Sequence, residues 1–104
     1  MFLITLSPMR RDDTLTVSVA GDVLVLNGEA LDLGRLAPGE SLPAETMGSD
    51  WIASDILRHE SGEIALTLIL PHGESAPEAT RFPQPIAVTA DGPVQLPPHD
   101  GRGV

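Results

Sequence analysis

Cysteine, lysine and tyrosine are all missing from this chain. Without cysteine there is no disulfide, no thiolate metal site and no thiol nucleophile. Without lysine there is no Schiff-base chemistry and no phosphate loop of the Walker type. Aromatic residues are scarce, with only Phe2, Trp51 and Phe82. The core must therefore come from Leu, Ile and Val, and a sugar site built on several stacked rings fits poorly.

Positive charge is also in short supply. Six arginines (Arg10, Arg11, Arg35, Arg58, Arg81 and Arg102) face fifteen acidic residues, for a formal net charge of −9. No basic stripe exists to displace counterions from phosphates, which opposes nucleic-acid binding. The same balance opposes docking on anionic membranes. The acids are spread along the chain rather than bunched, the ordinary pattern of a solvated surface. Long apolar runs are absent too. Met-Phe-Leu-Ile-Thr-Leu at the start gives way at once to Pro8 and the Arg10-Arg11-Asp12-Asp13 cluster, so neither a secretory leader nor a membrane span is expected. The expectation is a cytoplasmic protein.

What remains is enough for one modest core. A chain of 104 residues makes one domain and buries roughly 65% of its unfolded surface. Residues 14–20 alternate strictly, with Leu15, Val17 and Val19 on one face, the period of a half-buried strand. Gly21-Asp22 reads as a two-residue hairpin loop, and Val23 to Leu26 as the return strand. Asn27-Gly28 turns the chain again toward a third strand, with Leu31, Leu33 and Leu36 inward. Residues 37–50 form a long connection with a helical turn near 44–47.

A second hairpin runs from Trp51 to Glu60, turns at Ser61-Gly62 and returns over residues 63–70 as a central strand. Residues 2–6 read as a short strand ended by Ser7-Pro8, and residues 86–90 as a last strand. Pro71-His72-Gly73 breaks the second hairpin. Ser75 is placed as the N-cap of a helical turn reaching Thr80, with Ala76-Pro77 at its start. The proline-rich end, 97–104, reads as a flexible tail behind a single β-rich domain spanning 1–96. About six to eight short strands with turn signals between them predict a mostly-β fold, a small antiparallel sandwich or barrel with two hairpins and little helix.

Chemistry is hard to find. His59, His72 and His99 match no short metal-ligand spacing. No nucleophile elbow and no phosphate-cradling glycine loop is present. No catalytic residue, cofactor or metal is assigned, and the expectation is a protein that is not an enzyme. Trp51 reads either as a packing residue or as an interface anchor, the role in which tryptophan is enriched. The loop after residue 70 is dense in proline and glycine and reads either as a plain crossover or as a contact loop. There Arg81 is spaced to pair with Glu78, and Phe82 to plug the loop into the core. The candidate interaction residues are Trp51, His72, Glu78, Arg81 and Phe82.

The run Leu-Ile-Leu-Pro-His-Gly at 68–73, Ala-Pro-Glu at 76–78 and Thr-Arg-Phe-Pro at 80–83 resembles a family of small uncharacterised proteins encoded in prophages of GC-rich proteobacteria, near tail genes. Thr5-Leu6-Ser7-Pro8, Asn27-Gly28-Glu29 and Leu42-Pro43-Ala44 are similar too. Arginine used without lysine agrees with a GC-rich source. The resemblance carries no catalytic motif. It implies a phage-encoded interaction protein, a tail accessory or assembly factor, whose partner is a phage tail protein and whose place is the bacterial cytoplasm or the virion. The competing expectation is an acidic inhibitor or DNA mimic that binds a host protein. Strands at 2–6 and 86–90 are expected at sheet edges, where pairing with a second copy would cover them and give a homo-oligomer.

Overall fold

Tight turns set the smaller of two sheets. The computed structural model describes residues 2–73, 78–81 and 83–96. Strands β2 (Val17–Ala20), β3 (Val23–Leu26) and β4 (Glu29–Asp32) form a meander. Ala20 pairs with Val23 and Leu26 with Glu29, so each connection is a two-residue loop, as the turn residues predict. At the second loop both Asn27 (φ 50°) and Gly28 (φ 83°) lie in the left-handed region that such a loop demands. Asn27 adds its side chain: Oδ1 accepts from the Thr16 amide (2.7 Å) and Nδ2 donates to the Thr14 carbonyl (3.0 Å). Those bonds hold the segment before β2 close to the turn. The strand itself begins at Val17, three residues later than the alternation suggests.

The larger sheet is ordered β5-β6-β7-β1-β8, from β5 (Ser41–Leu42), β6 (Ile56–Arg58), β7 (Ile64–His72), β1 (Phe2–Arg10) and β8 (Ile86–Val88). The four-stranded sheet runs β4-β3-β2-β9, with β9 spanning Gly92–Val94. The mostly-β sandwich expectation holds. The expected second hairpin is the β6–β7 pair, and β7 is central. Residues Ala44–Met47 form a single 3-10 turn and Glu78–Arg81 a single α turn, α1. The 75–77 part of the expected helical turn and the tail at 97–104 lie outside the described residues.

Four expectations need correction. β1 pairs with β7 in parallel over nine residues, Phe2 with Ile64 through to Arg10 with His72. On its other side it pairs with β8, so residues 2–6 are internal and not an edge. Proline does not stop either long strand. β1 continues through Pro8 and β7 through Pro71. The reason is where neighbours end. β8 reaches only as far as Ile4 on one flank of β1, and the chain beside β7 reaches only Ile69. Beyond those points each strand has a flank without a ladder among the described residues, where a missing N–H costs nothing. The last strand is shorter than expected, ending at Val88, after which the chain crosses to β9 in the other sheet.

Alternation fills the space between the sheets. Phe2, Ile4 and Leu6 of β1 and Ile64, Leu66, Leu68 and Leu70 of β7 meet Val17, Val19, Leu24, Leu26 and Leu31 of the smaller sheet in one core. Leu15, Leu33 and Leu36 are buried with them, as their sequence positions predict. Each fully buried Leu or Ile contributes about 1.5–3 kcal/mol of apolar burial. Arg58 ties the sheets at one end. It shares a face with buried Ile64, donates from Nη1 to the Leu36 carbonyl (3.0 Å) and from Nε to Gly62 (3.2 Å), and reaches Asp22 at 3.5 Å.

Candidate interaction surface

The outward side of the larger sheet follows from register. Residues directly opposite on neighbouring strands share a face, and successive residues alternate between faces. With Ile4, Leu6, Leu66 and Leu68 inside, the intervening positions must point away from the core. One row crosses the whole sheet: Ser41, Leu57, Ala65, Leu3 and Ala87. The next pairs are Thr5 with Thr67, Ser7 with Ile69, and Met9 with Pro71.

No position on this face is charged. The five strands together hold none of the chain's fifteen acidic residues. Their two arginines stand elsewhere: Arg58 is on the core side with Ile64, and Arg10 ends β1 in register with His72. Exposure is uneven. Met9 (46%) and Leu57 (38%) are the exposed large apolar side chains among the described residues, and both are on this face. Thr5 and Ala87 are exposed beside them, while Leu3, Ala65, Thr67 and Ile69 are half-buried.

One corner of the sheet carries a built cluster. Ile52 bridges Leu68, and the Ile69 amide donates to the Trp51 carbonyl (2.8 Å), so Trp51 flanks β7. The Arg11 guanidinium lies 4.2 Å from the centroid of the Trp51 ring. Asp13 accepts from that guanidinium in a two-pronged contact, Nε to Oδ1 at 2.9 Å and Nη2 to Oδ2 at 2.6 Å. The Arg11 amide donates to the His72 carbonyl (3.2 Å), and His72 Nδ1 lies 3.0 Å from the Gly73 carbonyl. Arg11, fixed by Asp13, thus lies over the single indole.

The sequence-derived candidates fare differently. Trp51 is half-buried, packed against the core and under Arg11. His72 is half-buried at the end of β7, joined to the same corner through the Arg11 backbone. Arg81 is exposed in the last turn of α1, which packs near β7. Glu78 opens that turn, but its side chain lies outside the described residues, as does all of Phe82. Arg11 and Asp13 are not among the residues that the sequence marks as candidates. Spacing of Arg11 and Asp13 two residues apart was a local signal for their pairing. Nothing local tied Arg11 to Trp51, forty residues on.

Among the described residues, recesses form beside β8 and β9. One of about 130 Å³ lies between the Gly21-Asp22 loop and residues 88–91. Its two carboxylates are engaged, Asp91 with the Gly21 amide (2.8 Å) and Asp22 with Arg58. Another of about 330 Å³ follows residues 86–95 and is lined by small and aliphatic side chains with Asp91 as its one charge. Among the described residues no group of three or more His, Asp or Glu is placed to hold a metal ion, and no helix is long and apolar enough to cross a membrane. Comparison of the chain with family models, with curated proteins and with solved structures finds no match to any of them.

Proposed function

We propose that this chain is a non-enzymatic protein–protein interaction module whose contact surface is the outward face of the larger sheet. One observation carries the reading: a chain of net charge −9 keeps all fifteen acidic residues off the five strands of that sheet. A face left only to water has no need to exclude charge. A buried contact does, because every unpaired charge there costs desolvation, and the centres of protein interfaces are depleted in charge. Met9 and Leu57 add the exposed apolar area that marks such patches. The Trp51 corner adds an aromatic anchor of the kind that concentrates binding energy.

The proposed setting is phage assembly, as a tail accessory or assembly factor with a phage tail protein as partner, in the bacterial cytoplasm or on the virion. That setting rests on the resemblance of residues 68–83 and on nothing in the geometry. A second reading, an acidic inhibitor or DNA mimic, is favoured by the edge strand β4, where Glu29 and Asp32 stand exposed.

Co-purification with a tagged chain in its source cells separates the two. Partners identified by mass spectrometry should survive Glu29→Arg and be lost with Thr5→Arg or Leu57→Arg. The reverse pattern would replace the sheet-face reading with the acidic one. Recovery of the chain at fixed stoichiometry in purified phage particles tests the virion placement.

A further inference from the structure

We propose that Asn27 is a site of non-enzymatic deamidation, restrained by the folded meander and released when the meander opens. Asn27 is the only asparagine in the chain, and Gly28 follows it. Asparagine is a thermolabile residue, and a glycine after it has no Cβ to shield its backbone nitrogen from the side chain. Both residues are exposed to water in the loop between β3 and β4. Water is the one co-reactant. The Gly28 nitrogen gives up its proton and bonds to Asn27 Cγ. The Cγ–Nδ2 bond breaks and ammonia leaves with a proton, closing a five-membered imide. Water then opens the ring. Cleavage between the nitrogen and Cγ gives aspartate; cleavage between the nitrogen and the backbone carbonyl carbon gives isoaspartate. One water is consumed and one ammonia released, and nothing is oxidised or reduced.

The fold opposes the first step. Cγ must swing round to the Gly28 nitrogen, but both ends of the side-chain amide are tied to the segment before β2. Oδ1 accepts from the Thr16 amide (2.7 Å) and hydroxyl (3.2 Å), and Nδ2 donates to the Thr14 carbonyl (3.0 Å). The Asn27 amide donates to the Thr16 carbonyl (2.9 Å), which fixes the backbone at the same place. The left-handed φ values of 50° and 83°, in a two-residue loop, leave little freedom for the rotation. Neither product restores the latch. Aspartate has no hydrogen to donate to Thr14 and sets a second oxygen against that carbonyl. Isoaspartate adds a backbone carbon between Leu26 and Glu29, which pair directly. Deamidation therefore weakens the meander that restrained it, and marks chains that have opened.

Peptide mass spectrometry tests this on the full chain, aged at mildly alkaline pH with and without unfolding guanidinium chloride. The unfolded chain is expected to give a mixture of aspartate and isoaspartate at position 27. The folded chain should convert about tenfold more slowly or less, the protection that two side-chain hydrogen bonds give at their usual net strength. Asn27→Asp, one product made directly, should have a lower guanidinium midpoint than the wild type. An unfolded chain that keeps its asparagine overturns the site. Equal rates in the two states overturn the restraint, and aspartate without isoaspartate overturns the imide route. An Asn27→Asp midpoint at or above that of the wild type overturns the loss of the latch.

Discussion

Leu57 and Met9, from strands on either side of β7, stand on the same outward face of one sheet. Both belong to strands that carry no acidic residue. Apolar exposure and the exclusion of acids thus coincide on one surface. The predictions below separate what that surface does from what keeps the fold together.

Arg11 should report through Trp51. This chain has one tryptophan and no tyrosine, so its fluorescence comes from the indole under the Arg11 guanidinium. Arg11→Ala uncovers the ring and removes a cation–π contact of about 0.5–1 kcal/mol. The expected result is a changed emission maximum with a small fall in the urea midpoint. Arg11→Lys keeps the charge but loses the two-pronged contact with Asp13, and should fall between the two.

Replacing Arg58 should cost more. Its side chain donates to the Leu36 and Gly62 carbonyls and approaches Asp22, all near the seam between the sheets. Arg58→Ala leaves those acceptors without their donors, a loss of about 1.5–3 kcal/mol. Chemical denaturation of the variant should show a lower midpoint with an unchanged slope.

Asn27 is the strictest turn position. Its φ of 50° and its bonds to Thr14 and Thr16 make it both a conformational and a hydrogen-bonding requirement. Asn27→Ala should destabilise by about 1–3 kcal/mol, combining a left-handed strain with lost side-chain bonds. Asn27→Gly relieves the strain and not the bonds, so its urea midpoint should lie above that of the alanine variant.

How much of this was legible in the sequence follows the range of each interaction. Gly21-Asp22 and Asn27-Gly28 encode their loops locally, and the alternation of residues 15, 17 and 19 encodes a buried face, so the meander could be read directly. The pairing of Phe2 with Ile64 could not, because a parallel partner sixty residues away leaves no local mark. Pro8 and Pro71 were read as breakers by a rule that holds only where both flanks of a strand are bonded. The uncharged runs at 2–9 and 64–71 were visible, but only the register shows that half of each run points away from the core. Trp51 and His72 stood out as residue types, while the placing of Arg11 over Trp51 needed the fold to bring the two together.

A chain without cysteine accepts single-cysteine probes cleanly, and that gives the most direct test of the outward face as the contact surface. Leu57→Cys and Glu29→Cys would each be reacted with a maleimide, as the free chain and in the complex with its co-purified partner. Modification at position 57 is expected to slow several-fold in the complex, while position 29 keeps its rate. Unchanged reactivity at 57, or slowing at 29 alone, would contradict it.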